Sequence, residues 1–479
     1  MNNYFEHFDL LPSCNSQNQE TRNISSASQN ECSDKKIKNP PQKESKVDLT
    51  NKELQSTQEL GEDQNMPALE KCVLYGNPKD DINMAWGVIG KMGNRLVGLD
   101  LQYGKSMAIF GTMGSGKSYL CGALTEMMAM PIKDLSWFPN QPSAVVIFNY
   151  RQVHGARFEY GSYIKPNDNS YEVNALNEKY KTLPTQLPTE DLLICAHNSM
   201  IRSEKDKDYA GLKVRPLLFK PENLNDDDWQ LLLGLPNKDN LYVTVMRNIM
   251  ERLSEENRFT IDSLKDEINS HQRLSAAQRN LALMRIEDLA EKYISQNDGI
   301  DWEEIVKPGR ITILDFRKTY LQSDDALRLA LICLRGVGGV DPSVHKFLLF
   351  DEFHEYYNEA FSDDLDKYRR MVRHNNISFC IATQNTEKVD DKILKSFSNK
   401  FIFKVDSSTW DVLQRVDPLL AQGRDGGITY DQIADLQQES GECFIKFDES
   451  SEPSLKRQTR KIEIRPRVTK HGGFTVETQ

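Results

Sequence analysis

SMAIFGTMGSGKSYL, residues 106–120, is the stretch on which the fold turns. Its apolar run MAIF reads as a buried strand, and YLCGALTEMM, 119–128, continues as a helix rich in Leu, Ala and Met. Between them GTMGSGKS, 111–118, matches G-x-x-x-x-G-K-[ST] at every fixed position. Glycines let such a loop turn its N–H groups toward a phosphate, and the helix N-terminus adds a favourable dipole. The expected nucleotide-binding residues are Gly111, Thr112, Met113, Gly114, Ser115, Gly116, Lys117, Ser118 and Tyr119. Lys117 would reach the β- and γ-phosphates of ATP, and the Ser118 hydroxyl would bind Mg²⁺.

Outward from this stretch, short apolar runs alternate with helical patterns. AVVIFNY (144–150), ITILDF (311–316), KFLLFDE (346–352), ISFCIATQ (377–384), KFIFKV (400–405) and GECFIKF (441–447) read as strands. ALRLALICLRGV (326–337), DDKILKSF (390–397) and TWDVLQRV (409–416) have helical spacing. Such alternation predicts an α/β chain with a parallel sheet covered on both faces.

Three further motifs carry chemistry. KFLLFDE, 346–352, ends a buried strand in Asp351 and Glu352, which places both at the ligand edge of such a sheet. Asp351 would hold Mg²⁺, directly or through water, and Glu352 would orient or deprotonate an attacking water. That pair suits a hydrolase better than a small-molecule kinase, which needs no water-activating carboxylate. ISFCIATQ, 377–384, places Gln384 beside the phosphate site, where it could sense the γ-phosphate. In YRRMVRHNN, 368–376, Arg370 and Arg373 share one predicted helix face; from the residues alone they read as solvated surface charge. DEFHEYY is not the zinc-protease pattern HExxH. The run Asp226, Asp227, Asp228 reads as an acidic helix start rather than a metal site.

The 479-residue chain carries 60 Lys and Arg against 71 Asp and Glu, a formal net charge of −11. That balance excludes a protein coated in nucleic acid over its whole surface, but a pore or groove needs only a few basic residues. Basic character is expected on one loop-rich face, with Arg151, Arg157, Arg202 and Lys205 as candidates, and in the stretch after Lys456. Residues 1–70 are rich in Asn, Gln, Ser, Lys and Glu and read as a disordered tail. The expected organisation continues with 71–151, the start of an ATPase core, and 152–300, a polar insertion and helical subdomain. Residues 301–450 complete the core and 451–479 form a basic tail. The eight cysteines form no CxxC pair and read as free thiols in a reducing compartment. No apolar run approaches a membrane span and no signal peptide opens the chain, so a cytoplasmic protein is expected.

In their order these motifs resemble the HerA/FtsK superfamily of ring-forming P-loop ATPases, most closely its HerA-like helicase and translocase branch. The similarity runs from WGVIG (86–90) to GECFIKF (441–447). RLVGLDL (95–101), RPLLFKPENLNDDDWQLLL (215–233), PGRITILDF (308–316), FLLFDEFHEY (347–356) and VRHNNISFCIATQN (372–385) look like successive family segments. The resemblance implies a RecA-like P-loop NTPase fold with a mainly parallel central sheet and an inserted helical subdomain. It also implies Mg²⁺-dependent ATP hydrolysis, a homo-oligomer of hexameric form, and DNA gripped without regard to sequence. Asp351, Glu352 and Gln384 take family roles by this match, and Arg373 or Arg370 becomes the arginine supplied to a neighbouring subunit's site. Two features depart from the pattern. Asn149 stands in VVIFNYRQVHG where the family usually has Asp, and the N-terminal β-barrel is missing or reduced. Type IV secretion or conjugation ATPases, genome-packaging motors and an ATP-switched assembly scaffold are the alternatives. A nuclease, a relaxase or a capsid protein would be the corresponding partner.

Overall fold

The computed structural model describes residues 72–472 apart from 77–83, 103–104, 152–157, 234–240, 257, 318–322, 357–364, 366–374, 422–425 and 438–439. The tail expected at 1–70, Arg157, and the helix expected to carry Arg370 and Arg373 therefore lie outside the described residues.

The chain enters on β1 (Cys72–Tyr75), β2 (Trp86–Met92), β3 (Arg95–Asp100) and β4 (Ser106–Phe110). The glycine loop follows, then α1 (Lys117–Ala129), β5 (Ser136–Trp137) and β6 (Ala144–Asn149). The polar region folds as α2 (Ser170–Tyr180), β7 (Leu192–Ala196), α3 (Asn198–Glu204) and β8 (Lys213–Pro216). The helices α4 (Asp226–Leu232), α5 (Leu241–Glu255), α6 (Ile261–Ser270), α7 (Ala276–Tyr293) and α8 (Trp302–Ile305) come next. Then β9 (Ile311–Asp315), α9 (Ser323–Gly339), β10 (Lys346–Asp351) and β11 (Ile377–Thr383) rebuild the centre. The chain closes with α10 (Asp391–Ser396), β12 (Asn399–Ile402), α11 (Ser407–Val416), α12 (Tyr430–Ala434), β13 (Glu442–Lys446) and β14 (Thr459–Ile464).

Among the described residues fourteen strands join one sheet, in the order β1-β3-β2-β14-β13-β12-β4-β11-β10-β6-β9-β7-β8, with β5 on β2. From β12 to β8 every neighbour is parallel. The central strands β6, β9, β10 and β11 are buried along their whole length, which is why they read as continuous apolar runs. Their residues still alternate between two cores. Phe110, Leu348 and Phe350 face the layer containing α9, whereas Ile109, Phe347 and Leu349 face the layer containing α1. In this order β4 lies between β12 and β11, and β10 between β11 and β6, so the C-terminal ends of β4, β11 and β10 meet at one edge.

Three elements differ from or sharpen the sequence reading. First, the polar insertion is not merely loops beside the sheet. Its run LLICA is β7, fully buried and parallel to β9, and β8 extends the sheet by one more strand. A five-residue apolar run inside a polar stretch is too short for its periodicity to separate strand from core helix. Second, the acidic start of α4 is a capping box. Asn225 accepts from the Asp228 N–H at 2.9 Å while the Asp228 carboxylate accepts from the Asn225 N–H at 3.1 Å. Helices α5 to α7 pack around a separate core that includes Met246, Leu253, Leu264 and Ile286, whereas Leu281 faces out.

Third, the basic stretch after Lys456 does not hang free. β14 inserts antiparallel between β13 and β2. The chain then crosses α1, where Arg465 meets Glu126 at 2.6 Å with both side chains fully buried. Glu126 also accepts from the N–H groups of Val468 and Thr469 at 3.0 and 3.1 Å and from the Thr469 hydroxyl at 2.8 Å. Arg467 lies so close to the helix that a Cβ on Gly122 would stand 2.4 Å from its Nη1. These arginines are internal and leave the expected basic tail without two of its charges.

An unpaired charge left inside costs far more than an exposed one. Arg465→Met should therefore destabilise the chain by about 3–5 kcal/mol in denaturant titration. The double variant with Glu126→Gln should recover part of that loss; no recovery would contradict the pairing.

Candidate functional site

The site is built first from the loop 111–116. Gly114 and Gly116 have φ of +74° and +107°, conformations that an L side chain rarely adopts. A Cβ on Gly111 would lie 2.3 Å from Ser115 Oγ, so the loop can close on itself only with glycine there. Its start is pinned to the residues after β12: the Thr112 N–H and hydroxyl both donate to the Lys404 carbonyl, at 2.9 and 3.2 Å. Gly116 caps α1 with no side-chain acceptor among the described residues, and the first turn has no acidic residue. The helix start therefore keeps N–H groups and dipole directed at an anion. Ser115 Oγ is buried and has no hydrogen-bond partner among the described residues. Lys117 is buried, with Nζ donating to the Thr112 carbonyl at 2.9 Å. Burial lowers its pKa, while Glu352 and Asp351 act in the opposite direction. A cradle of this kind fits a polyphosphate. Met113 at its tip is 84% exposed, and Ser118 and Tyr119 are half-buried.

The acidic half comes from the ends of neighbouring strands. Asp351, Asn149 and Asp315 are in register across β10, β6 and β9. Asp351 Oδ2 accepts from Arg151 at 2.9 Å and from the Tyr160 hydroxyl at 2.7 Å, and Oδ1 accepts from the Glu352 N–H at 3.0 Å. A carboxylate has about four acceptor positions, so Asp351 keeps capacity to hold Mg²⁺ through water, with the Ser118 hydroxyl as the other donor atom. Glu352 occupies the left-handed region with φ +51°. For a non-glycine residue this costs about 1–3 kcal/mol and is typical of functional positions. Burial, reinforced by Asp351, pushes its carboxyl up to about 7. Its Oε2 is buried without a hydrogen-bond partner among the described residues.

Gln384, one residue past β11, lines a cavity together with Thr112, Met113, His354 and Asn385. The fold thus brings Gln384 to the glycine loop, and Lys117 within electrostatic range of Asp351 and Glu352. Arg370 and Arg373 lie outside the described residues.

Asn149 now has a physical account. Its amide donates to Asp315 Oδ1 at 3.2 Å, and Asp315 also receives Tyr209 and Arg317. An aspartate at 149 would put three carboxylates side by side on adjacent strands; asparagine separates two of them and donates a hydrogen bond. Sequence reasoning missed Arg151 as a partner of Asp351, reading it as a candidate pore residue. Its place two residues beyond the end of β6 was the available signal. Tyr160 and His354 gave none, because their proximity to the site depends on how separate segments pack. Tyr119 is tied to the C-terminal segment: its hydroxyl donates to Glu172 at 2.8 Å and accepts from the Arg467 N–H at 2.8 Å.

The family described as Helicase HerA, central domain, matches residues 87–335, just over half of the 479. Among solved structures, VirB4 of Thermoanaerobacter pseudethanolicus aligns at 12% identity and TM-score 0.48, covering 81% of this chain and 98% of that one. The bacterial conjugative coupling protein TrwB aligns at 12% identity and TM-score 0.42, covering 83% and 98%. The genome packaging NTPase B204 from Sulfolobus turreted icosahedral virus 2 aligns at 10% identity and TM-score 0.30, covering 77% and 99%. A search of curated proteins returned no match. No helix among the described residues is long and apolar enough to cross a membrane. A glycine loop between β4 and α1, an acid pair at the end of β10 and a match over more than half its length place this chain in the HerA-type family of P-loop ATPases.

Proposed function

We propose that this chain is an ATP-hydrolysing ring motor that moves along or unwinds DNA. The observation that carries the reading is the convergence of Lys117, Asp351 and Glu352 at one sheet edge, where Asp351 and Glu352 act on the ionisation of Lys117, and Lys117 and Asp351 on that of Glu352. The loop N–H groups and Lys117 bind the β- and γ-phosphates. Ser118 and Asp351 would hold Mg²⁺, which would supply positive charge against the phosphates. Glu352, its carboxyl held near neutrality, takes the proton from the water that attacks the γ-phosphorus as the bond to the leaving oxygen breaks. Gln384 faces the same cavity as Thr112 and Met113 and reports on the γ-phosphate. Arg373 or Arg370 of a neighbouring subunit completes the charge balance in a homo-oligomeric, hexameric ring.

DNA is held through its backbone, so the grip is independent of sequence and weakens with salt. With a net charge of −11, the basic contacts must be local. Arg202 and Lys205 are exposed and remain available, whereas Arg151 is committed to Asp351. The reading places the protein in the cytoplasm, where a nuclease, relaxase or capsid protein would define the pathway.

Lys117→Ala should abolish nucleotide binding and hydrolysis. Glu352→Gln should still bind ATP but lose turnover by about 10²–10⁴-fold. Both are read by nucleotide titration and phosphate release with and without DNA. A ring that hydrolyses ATP with no DNA stimulation would favour a secretion or assembly role instead. Mixing Arg373→Ala with Lys117→Ala subunits should restore hydrolysis, because a mixed interface can then hold one complete site. Mixed rings without recovery would refute the shared arginine.

A further inference from the structure

His354 stands where two parts of the site meet. It lies in the turn that follows β10, with its ring buried. Nδ1 is 3.2 Å from Thr383 Oγ1, at the end of β11, and 3.5 Å from Glu352 Oε2. Nε2 is 3.3 Å from Glu355 Oε1. Thr383 Oγ1 in turn accepts from the Asn385 N–H at 3.3 Å, closing the turn that carries Gln384. His354 and Gln384 also line the same cavity. A continuous run of groups thus leads from the Gln384 turn through Thr383 and the imidazole to the carboxylate oxygen that otherwise has no hydrogen-bond partner among the described residues.

Burial lowers the pKa of His354 and favours the neutral ring. A neutral imidazole has one donor and one acceptor. With the proton on Nε2 toward Glu355, Nδ1 can only accept, and Thr383 is its donor. With the proton on Nδ1, the ring donates toward Glu352. The two tautomers present Glu352 with opposite neighbours, so a shift at the end of β11 is felt at the carboxylate.

We propose that His354 is a positioning residue that couples the Gln384 turn, through Thr383, to the orientation of the Glu352 carboxylate. The proposal rests on the reading of Glu352 as the group that activates water. Its test uses the full chain with His354→Leu, His354→Gln, Thr383→Val and Glu352→Gln, following kcat, KM, binding of a fluorescent ATP analogue with Mg²⁺, and the melting midpoint. His354→Leu and Thr383→Val should each lower kcat by about tenfold or more, while analogue affinity and melting midpoint stay unchanged. Their combination should be no slower than the slower single variant, because both break one path. His354→Gln, which keeps a donor and an acceptor, should retain more turnover than His354→Leu.

Unchanged kcat in His354→Leu, or losses that multiply in the double variant, would overturn the coupling. Parallel losses of affinity and melting midpoint would also overturn it, by assigning His354 a packing role. Glu352→Gln separates the two levels. If it stays active, the reading of Glu352 fails and the proposal with it; if it is inactive while His354→Leu matches wild type, the coupling alone fails.

Discussion

Burial of charge at one sheet edge is the constraint around which this molecule is arranged. Asp351 and Glu352 are consecutive, and burial together with the neighbouring Asp351 raises the cost of ionising Glu352. Lys117 from the start of α1 and Arg151 from beyond β6 supply the opposing charge, and the Tyr160 hydroxyl completes the partners of Asp351. Even so, Glu352 remains with its carboxyl pushed up to about 7. A buried carboxylate held near neutrality is poor for stability and well suited to exchanging a proton. The backbone at Glu352 is strained as well, with φ +51° in the left-handed region.

A second buried charge pair stabilises the frame behind the site. Glu126 faces the C-terminal segment from α1, the helix whose first residue is Lys117, and Arg465 and the N–H groups of Val468 and Thr469 all converge on it. The same segment reaches the Tyr119 hydroxyl through the Arg467 N–H. The phosphate-loop helix is therefore clamped along its length by residues from the far end of the chain. The strand order explains how: β14 and β13 continue the sheet beside β12, so residues 465–469 emerge next to α1.

Much of this was legible in the sequence because local patterns were strong. The glycine loop announces itself by spacing, and the strands that flank it are continuous apolar runs because both their faces are covered. Asp351, Glu352 and Gln384 could be placed because residues at the ends of parallel strands share an edge. What escaped notice has one physical cause, long-range pairing. Arg465 and Arg467 look like solvated tail charge until Glu126 and the backbone of α1 are seen beneath them. LLICA looks like a fragment in a polar insertion until it pairs with β9. Arg151 looks free until Asp351, on the adjacent strand but 200 residues along the chain, takes its guanidinium.

By itself the sequence determined that the chain carries a phosphate loop, an acid pair and a polar strand-end, because each is encoded by neighbouring residues whose spacing sets their backbone. The tertiary structure decided which charges are paired, which are buried, and what stands beside Glu352. Those outcomes depend on strand order and on the packing of segments remote in sequence, and electrostatic energies depend on burial as strongly as on the residues themselves. An arginine after Lys456 and an arginine at 202 are the same side chain in the sequence; only packing makes one a buried counter-ion and leaves the other exposed to solvent.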